Sequence, residues 1–389
     1  MKSASLFYSL FLVFTGAALL ATFALAGRQP LIVVYIVLGS LLGPSVSGVV
    51  ADVALLSEMA HAGIILLLFL LGLDMRPSHL AGMLRKTATV GLLSSFMFGV
   101  AGCGYAYFLG FTPSEILIVG GTVMFSSTII GIKLLPTTVL HHKHTGELMV
   151  SLLLLQDLLA ILVLLLLYNT DDIASGMAPL LTAFAVLPLL VFVAWLAVRY
   201  VLLPLMTRYE RFHEYIFLLA IGWCLGMAEL AHSLGLSAEV GAFIAGIMIA
   251  NHPIARYIAL NLKPLRDFFL ILFFFSTGAS FDLKLLPEVA VPGMVLAVAC
   301  LVLKPVVFWC FLRRVSEQSS TALEVGVRLG QNSEFALLIA TIATEQGVIG
   351  AAASHLIQAA TIMTLLVSSY LVVFNYETPI GVSERLYRD

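Results

Sequence analysis

The sequence predicts an all-α integral membrane protein with about thirteen transmembrane helices, and three observations lead to that fold class. Hydrophobic residues make up 61% of the 389 residues and charged residues only 11%, whereas soluble domains carry about 25% charged residues. Apolar stretches of roughly 20 residues, long enough to cross a bilayer, recur along the chain. The basic residues also alternate between the ends of these stretches, as membrane topology requires.

Each predicted span ends at polar residues, glycine or proline, which interrupt an apolar helix. In chain order the spans are residues 5–25, 30–45, 57–74, 87–109, 114–133, 147–168, 178–198, 213–232, 236–251, 265–280, 291–312, 320–344 and 350–374. The first span follows Lys2 and lacks a small-residue cleavage motif, so we interpret it as a retained helix and not a signal peptide. Pro77 accounts for the end of the third span.

Basic residues test the number of spans, because a wrong count would scramble their alternation between the two sides. With the amino terminus outside, most of the 20 Lys and Arg residues fall on the cytoplasmic side, and only Lys2 and Lys284 fall outside. Lys304 and Arg328 lie within spans. We therefore expect a multi-pass protein of the cell inner (plasma) membrane, with its N-terminus outside and its C-terminus cytoplasmic.

Two triplets of spans, the fourth to sixth and the eleventh to thirteenth, have opposite predicted orientations, as in the inverted repeats of secondary transporters. Polar residues interrupt the middle span of each triplet. They are Ser126, Ser127 and Thr128 in the fifth span and Gln331, Asn332, Ser333 and Glu334 in the twelfth. Non-helical backbone at membrane depth requires burial in protein or a cavity. Two broken helices in matching positions therefore predict a binding site between them.

Asp157 is a single carboxylate in LLLLQDLLAILVLLLL, the most apolar run of the chain. A charge there costs ~3 kcal/mol on insertion scales, so such residues mark ion or proton pathways. At about 1.5 Å per residue, Asp157, Lys304 and both interruptions lie near the same depth, close to the membrane midplane. The sequence thus predicts that four spans contribute to one polar site.

The residue types in this site permit exchange of a monovalent metal cation for a proton. A carboxylate binds the cation when ionised and the proton when neutral, but never both together. The Gln156 amide oxygen and the hydroxyl and backbone oxygens at 126–128 could replace part of the cation's hydration shell. Lys304 could pair with Asp157 while no cation is bound, and Glu334 could line the ion path or hydrogen-bond to a broken-helix end.

Two other classes of protein remain open from the residues alone. A channel would need a continuous polar pore, whereas polar groups here cluster at one depth, which favours alternating access. An intramembrane enzyme would need a catalytic constellation, and no HExxH, GxSxG or serine–lysine pairing occurs, so we predict that the chain is not an enzyme. Nothing indicates a bound cofactor or a nucleic-acid partner.

Two smaller patterns yield structural predictions. Arg328 stands four residues after Glu324 in the twelfth span, which predicts an ion pair within one helix. Gly222 and Gly226 in GWCLG have the spacing that allows close helix packing.

Several segments together resemble one known family. They are the Gln156–Asp157 pair, the FSST segment before it, LGLSAEVGAFIAGIMIA, LFFFSTGASFDL, Lys304 in VLKPVVF and GQNSEFALL. In order and spacing they are similar to the Kef-type potassium/proton antiporters of the monovalent cation:proton antiporter superfamily. The resemblance covers nearly the whole chain and implies the sodium/proton-antiporter-like fold.

The resemblance also implies how the transporter is organised. A transmembrane domain over residues 1–376 would form a homodimer, with a scaffold at about 1–80 and 210–282. An ion-carrying core at about 86–170 and 290–374 would move as an elevator. Asp157 would carry the ion or proton, Gln156 would be its co-ligand and Lys304 the basic partner in the core. Sodium-type relatives carry Asn-Asp or Asp-Asp at this place, so Gln-Asp favours K+ over Na+ as the transported ion.

One feature departs from the family. Kef-type proteins continue into a cytosolic nucleotide-binding regulatory domain, whereas this chain ends in a polar tail, residues 377–389, and contains no GxGxxG motif. We expect either a membrane domain without its regulatory part or a short relative with different control. The control known from the family is therefore not carried over.

Overall fold

Helices build almost all of the regular structure in the computed structural model, which describes residues 6–27, 31–50, 54–74, 77–135, 144–168, 178–236, 238–281 and 286–378. The helices are α1 (Leu6–Ala26), α2 (Leu31–Leu42), α3 (Ala54–Asp74), α4 (Pro77–Phe108), α5 (Pro113–Val123), α6 (Thr128–Lys133), α7 (His144–Tyr168), α8 (Ala178–Ala197), α9 (Leu203–Arg208), α10 (His213–Ser233), α11 (Ala238–Ile249), α12 (Ile254–Ala279), α13 (Leu286–Arg314), α14 (Ser319–Arg328), α15 (Glu334–Glu345) and α16 (Ala351–Asn375). A π-helical turn, Val198–Leu202, joins α8 to α9.

Six helical segments in the described ranges are long and apolar enough to cross a membrane. They are Leu6–Ala26, Thr87–Phe108, Val186–Arg208, His213–Ser233, Pro287–Arg314 and Ala351–Asn375. Shorter apolar helices, among them Leu31–Leu42 and Ala238–Ile249, lie between them. The predicted all-α membrane class is therefore confirmed, whereas the count of thirteen spans stays a prediction.

The chain divides into two compact units. One comprises Met1–Ala51, Met83–Ala160 and Thr277–Asp389, and the other comprises Asp52–Gly82 and Ile161–Ser276. All of the predicted site residues belong to the first unit. That unit also contains α1 and α2, which the predicted scaffold includes, so its boundaries differ from those of the predicted core. The assignment of scaffold and core stays a prediction, and residues 379–389 of the predicted tail lie outside the described residues.

Two helical triplets, both with their breaks in the first unit, have the same make-up of a long helix, a broken helix and another long helix. In the first triplet, α4 and α7 flank a span that is broken between the end of α5 at Val123 and the start of α6 at Thr128. In the second, α13 and α16 flank a span that is broken between Arg328, where α14 ends, and Glu334, where α15 begins. Both interruptions coincide with the polar residues that predicted them.

Local side-chain chemistry sets these helix ends. Thr112 and Glu115 form a reciprocal capping box around Pro113 at the start of α5, which satisfies amides that have no partner within the helix. Ser333 caps α15 by accepting a hydrogen bond from the Phe335 backbone N–H at 3.1 Å. Ser127 serves α6 in the same way, accepting from the Ile130 N–H at 3.2 Å. The polar residues of the breaks thus start the helices that follow them.

Close backbone packing places α13 beside the second break. A Cβ atom at Gly326 of α14 would lie 2.7 Å from the Pro305 carbonyl oxygen of α13, so only glycine permits this approach. Lys304 precedes Pro305 and is thereby held next to the end of α14. The contact is one reason why a lysine of the eleventh predicted span reaches the twelfth.

In the second unit, α11 packs against α3 and α10. The indole N–H of Trp223 on α10 donates to the Ala245 carbonyl of α11 at 3.1 Å. Gly222 and Gly226, on α10, do not mediate close packing, because a Cβ atom built on either meets no atom within 4 Å in the described structure. The packing prediction for GWCLG is therefore wrong within the described part of this chain.

Candidate ion-binding site

The candidate site is centred on the carboxylate of Asp157, whose side chain α7 places against the first break. Asp157 and Gln156 are both fully buried. The Thr128 hydroxyl lies 3.1 Å from each carboxylate oxygen and donates to them. Since Thr128 is the first residue of α6, Asp157 lies at a helix N-terminus, where the helix dipole favours negative charge.

Gln156 replaces hydrogen bonds that the backbone loses in the first break. Its Oε1 accepts from the Ser126 backbone N–H at 3.0 Å, and its Nε2 donates to the Met124 carbonyl at 3.2 Å. A longer contact of 3.5 Å joins Nε2 to the Ser95 hydroxyl of α4. An amide oxygen has two lone pairs, so Oε1 keeps one for a cation after serving Ser126.

The other two polar residues of the first break have different roles. The Ser126 hydroxyl donates to the Leu329 carbonyl at 2.7 Å and so joins the first break to the second. Ser127 caps α6, as described above, and its carbonyl is 3.5 Å from Gln331 Nε2. Of the three predicted residues 126–128, Thr128 is the one whose side chain hydrogen-bonds to Asp157 in this structure.

Lys304 is fully buried and joins the two breaks. Its ammonium donates to the Phe125 carbonyl at 2.7 Å and to the Gln331 carbonyl at 3.1 Å, and it lies 5.6 Å from the centre of the Phe98 ring. The predicted ion pair with Asp157 is not among the salt bridges of the described residues. Carbonyls at broken helix ends lack partners within the helix, and the three N–H donors of an ammonium suit them.

The second break is tied to α16 by hydrogen bonds. Gln331 Oε1 accepts from the Ser368 hydroxyl at 2.7 Å, and the Asn332 backbone N–H donates to the Thr364 hydroxyl oxygen at 3.0 Å. Neither Asn332 nor Ser333 hydrogen-bonds directly to Asp157. Their observed hydrogen bonds shape the break and its connection to α16.

Glu334 adds a second buried carboxyl group to the site. Its side chain is 5% exposed, and it occupies the first turn of α15, directly after the second break. Each carboxyl group thus lies in or beside the first turn of a half-helix, α6 for Asp157 and α15 for Glu334. Lys304 lies where α5 and α14 end. The charges are therefore matched to the dipoles of the four half-helix ends.

The sequence did not predict the main-chain carbonyls to which Arg328 donates hydrogen bonds. The predicted pair with Glu324 is confirmed, with Nε 2.9 Å from Oε1. The same guanidinium also donates to the Leu134 carbonyl just beyond α6 at 3.1 Å and to the Glu377 carbonyl beyond α16 at 2.9 Å. Its near-complete burial could have been suspected from its place within a span, but its backbone partners could not.

A solved antiporter structure shares this fold. The structure of the sodium proton antiporter MjNhaP1 from Methanocaldococcus jannaschii at pH 8 matches with a TM-score of 0.72, covering 93% of this chain and 94% of that one at 17% identity. At this low identity the match shows the fold alone. The predicted sodium/proton-antiporter-like fold is thereby confirmed.

Curated relatives and a family model agree with the resemblance found in the sequence. The chain is 29% identical over 361 residues to K(+) efflux antiporter 4 of Arabidopsis thaliana, covering 90% of this chain and 60% of that protein. It is 29% identical to the glutathione-regulated potassium-efflux system protein KefC of Klebsiella pneumoniae over 84% of this chain and 54% of that protein. The chain thus spans little more than half the length of these relatives.

The family model "Sodium/hydrogen exchanger, transmembrane" matches residues 10–374, which include both helical triplets and every residue of the candidate site. The similarity to Kef-type proteins predicted from the motifs is confirmed. The chain therefore belongs to the sodium/hydrogen exchanger family of multi-pass membrane antiporters.

Proposed function

We propose that this chain exchanges K+ for protons across the membrane, with Asp157 as the group that binds either ion. The observation that carries the proposal is the fully buried Asp157 carboxylate beside Thr128, at the point where two broken helices meet. An ionised carboxylate attracts a desolvated cation, and protonation removes that attraction. Competition between the two ions for one group couples their movements.

The choice of K+ rests on Gln156 and on the relatives. Gln156 offers one free lone pair of a neutral oxygen next to Asp157, and the two relatives described above are named for potassium efflux. Na+ is the second candidate, because the solved structure with this fold is named a sodium proton antiporter. Measuring proton flux in proteoliposomes against K+, Na+, Rb+ and Li+ gradients distinguishes the two.

The movement that we propose is an elevator, in which a core carrying Asp157 shifts against a scaffold within a homodimer. The core would comprise about residues 86–170 and 290–374, and the scaffold about 1–80 and 210–282. The hydrogen bonds between the breaks, through Lys304 and Ser126, support a core that moves as one body. The protein would lie in the inner membrane with thirteen spans and a cytoplasmic C-terminus.

Replacing Asp157 with asparagine tests the function. Asp157→Asn keeps the shape and the hydrogen bond from Thr128 but removes the titratable charge, so we expect cation-driven proton movement in proteoliposomes to be abolished. The matched control is Asp267→Asn, an exposed aspartate paired with Arg266, which should exchange at the wild-type rate. Exchange by Asp157→Asn at the wild-type rate would exclude Asp157 as the carrier.

A further inference from the structure

The aromatic ring of Phe98, on α4, faces the ammonium group of Lys304. Lys304 Nζ lies over this ring, 5.6 Å from its centre, which is within the range of a cation–π interaction. Both side chains are fully buried. The ammonium also donates to the Phe125 and Gln331 carbonyls. The ring face therefore adds a third attraction to a buried charge that two main-chain carbonyls already bind.

A second residue of α13 fixes the orientation of the Phe98 ring. Phe308 follows Lys304 by about one turn, on the same side of α13, and is also fully buried. The rings of Phe98 and Phe308 pack edge to face, with centres 5.3 Å apart and planes at 70°, which is a favourable geometry for two aromatic rings. Phe98 is thus held by Phe308 while it contacts Lys304.

One peptide group connects Lys304 with Gln156, the proposed co-ligand of the cation. Lys304 Nζ donates to the Phe125 carbonyl at 2.7 Å. The Ser126 N–H belongs to the same peptide group and donates to Gln156 Oε1 at 3.0 Å. Because a peptide group is planar and rigid, the position of the ammonium affects the direction of this N–H. Hydrogen bonds in such a chain also polarise one another.

The helix α4 also contacts the nitrogen end of the Gln156 amide. Ser95 precedes Phe98 by three residues, so the two lie on one side of α4. The Ser95 hydroxyl is 3.5 Å from Gln156 Nε2. No residue of α4 was predicted to belong to the site, because a phenylalanine in an apolar span carries no sequence signal of such a role. The contacts nevertheless place one side of α4 against both Gln156 and Lys304.

We propose that Phe98 is a positioning residue for the cation site, acting through Lys304. Its ring holds the ammonium on the Phe125 carbonyl, and the same peptide group holds the Gln156 oxygen where it can bind the cation. The inference rests on the exchange function proposed above, in which Gln156 is the co-ligand. Phe98 itself touches neither transported ion. Its contribution is to the binding of the cation, so its loss should appear in the KM.

Fluorinated phenylalanines at position 98 test this role while the packing volume stays nearly constant. One, two or three fluorine atoms withdraw increasing electron density from the ring face and progressively weaken its attraction for a cation. We expect the KM for the driving cation, K+ or Na+, to rise with each fluorine in proton-flux measurements on proteoliposomes. In Phe98→Leu it should rise about two- to thirtyfold, and the maximal rate should change less than the KM does.

The control for fluorination is the same series at Phe275, a fully buried phenylalanine of α12, which should leave the KM unchanged. A KM that stays constant across the Phe98 series would overturn the proposal. A loss confined to the maximal rate would also overturn it, because positioning of the co-ligand acts on cation binding.

A double-mutant cycle on stability gives a second measurement that does not depend on transport. Trifluorophenylalanine at position 98 should lower the thermal unfolding temperature of the purified protein when Lys304 is present. Its effect should be smaller in the Lys304→Gln background, which has no ammonium. Equal shifts in the two backgrounds would show that the ring and the ammonium do not interact and would refute the inference.

The cycle also distinguishes the two proposals. Exchange by Asp157→Asn at the wild-type rate would remove the proposed function, whereas the coupling between Phe98 and Lys304 would still be decided by the unfolding data.

Discussion

At the scale of single residues, the amide of Gln156 is held at both ends by the backbone of the first break. Its oxygen serves the Ser126 N–H and its nitrogen serves the Met124 carbonyl. These two backbone groups lie where no regular helix can satisfy them. Gln156 therefore stabilises the first break even when no cation is bound. Its proposed role as a co-ligand of the cation is a second, separate role.

The structural role predicts a loss of stability. Gln156→Leu leaves one buried N–H and one buried carbonyl without their partners, so we expect the free energy of unfolding to fall by ~1–3 kcal/mol for each of these two groups. Thermal unfolding in detergent measures the loss. The control Gln318→Leu changes an exposed glutamine that makes no side-chain cap and should leave the transition where it was. An unfolding temperature equal to that of the wild type would contradict the role.

The co-ligand role predicts a change in ion preference. Gln156→Asn is one methylene shorter, so its oxygen cannot hold both the Ser126 N–H and a cation at their present positions. We expect the ratio of K+ to Na+ affinities to change, measured from the cation dependence of proton flux. An unchanged ratio would place the discrimination between the cations elsewhere in the site.

At the scale of secondary-structure elements, four half-helix ends meet around the site and each sign of charge lies where the dipoles favour it. Lys304 binds carbonyls of both breaks just beyond the C-terminal ends of α5 and α14. The carboxyl groups lie in or beside the first turns of α6 and α15. Lys304 is consequently a cross-link between two broken helices in this structure.

Two substitutions distinguish the hydrogen bonds that Lys304 makes to both breaks from its positive charge. Lys304→Met removes both, so we expect it to destabilise the protein by about 1–3 kcal/mol for each carbonyl left without a partner. Lys304→Gln keeps an N–H donor and should be less destabilised while still lacking the charge. Thermal unfolding ranks the two variants, and equal stability of Lys304→Met and wild type would rule out the cross-link.

Arg328 is a second cross-link, between the end of α14, the end of α6 and the segment after α16. Arg328→Gln removes a buried guanidinium that serves three partners, so we expect a loss of ~3 kcal/mol or more in unfolding free energy. Arg314→Gln, at an exposed arginine, is the control and should unfold as the wild type does. A loss no larger than that of the control would mean that the three partners find other donors.

At the scale of the whole molecule, the predicted topology places the loops on either side of the α14–α15 span on opposite faces of the membrane. Cysteines introduced singly at Ser316 and Gly347, in a background without native cysteines, should react with an impermeant reagent from the cytoplasmic and the outer side respectively. Both residues lie in described loops with positive φ angles of 67° and 71°. Labelling of both from the same side would contradict the thirteen-span topology.

The sequence predicted the all-α class, both breaks and the burial of Asp157, because charge and apolarity in a bilayer are strong, local signals. It did not predict the hydrogen-bond partners of Lys304, or those that Arg328 has besides Glu324. Their partners are carbonyl oxygens of the main chain, and every residue carries one, so no side-chain type marks which of them will accept. The pair of Lys304 with Asp157 was predicted because a carboxylate is a partner that can be recognised from its side-chain type, whereas a main-chain carbonyl is not.

The link from Ser126 to Leu329 joins residues that are 203 positions apart. Contacts of such separation form late, because the chain between them must first be made and inserted. Until the eleventh predicted span enters the membrane, the Phe125 carbonyl of the first break lacks Lys304 as its partner. Until the twelfth predicted span enters, the Ser126 hydroxyl lacks the Leu329 carbonyl. The ion site is therefore one of the last features of the chain to assemble, and errors in the insertion of α14 would appear as loss of the site near residue 126.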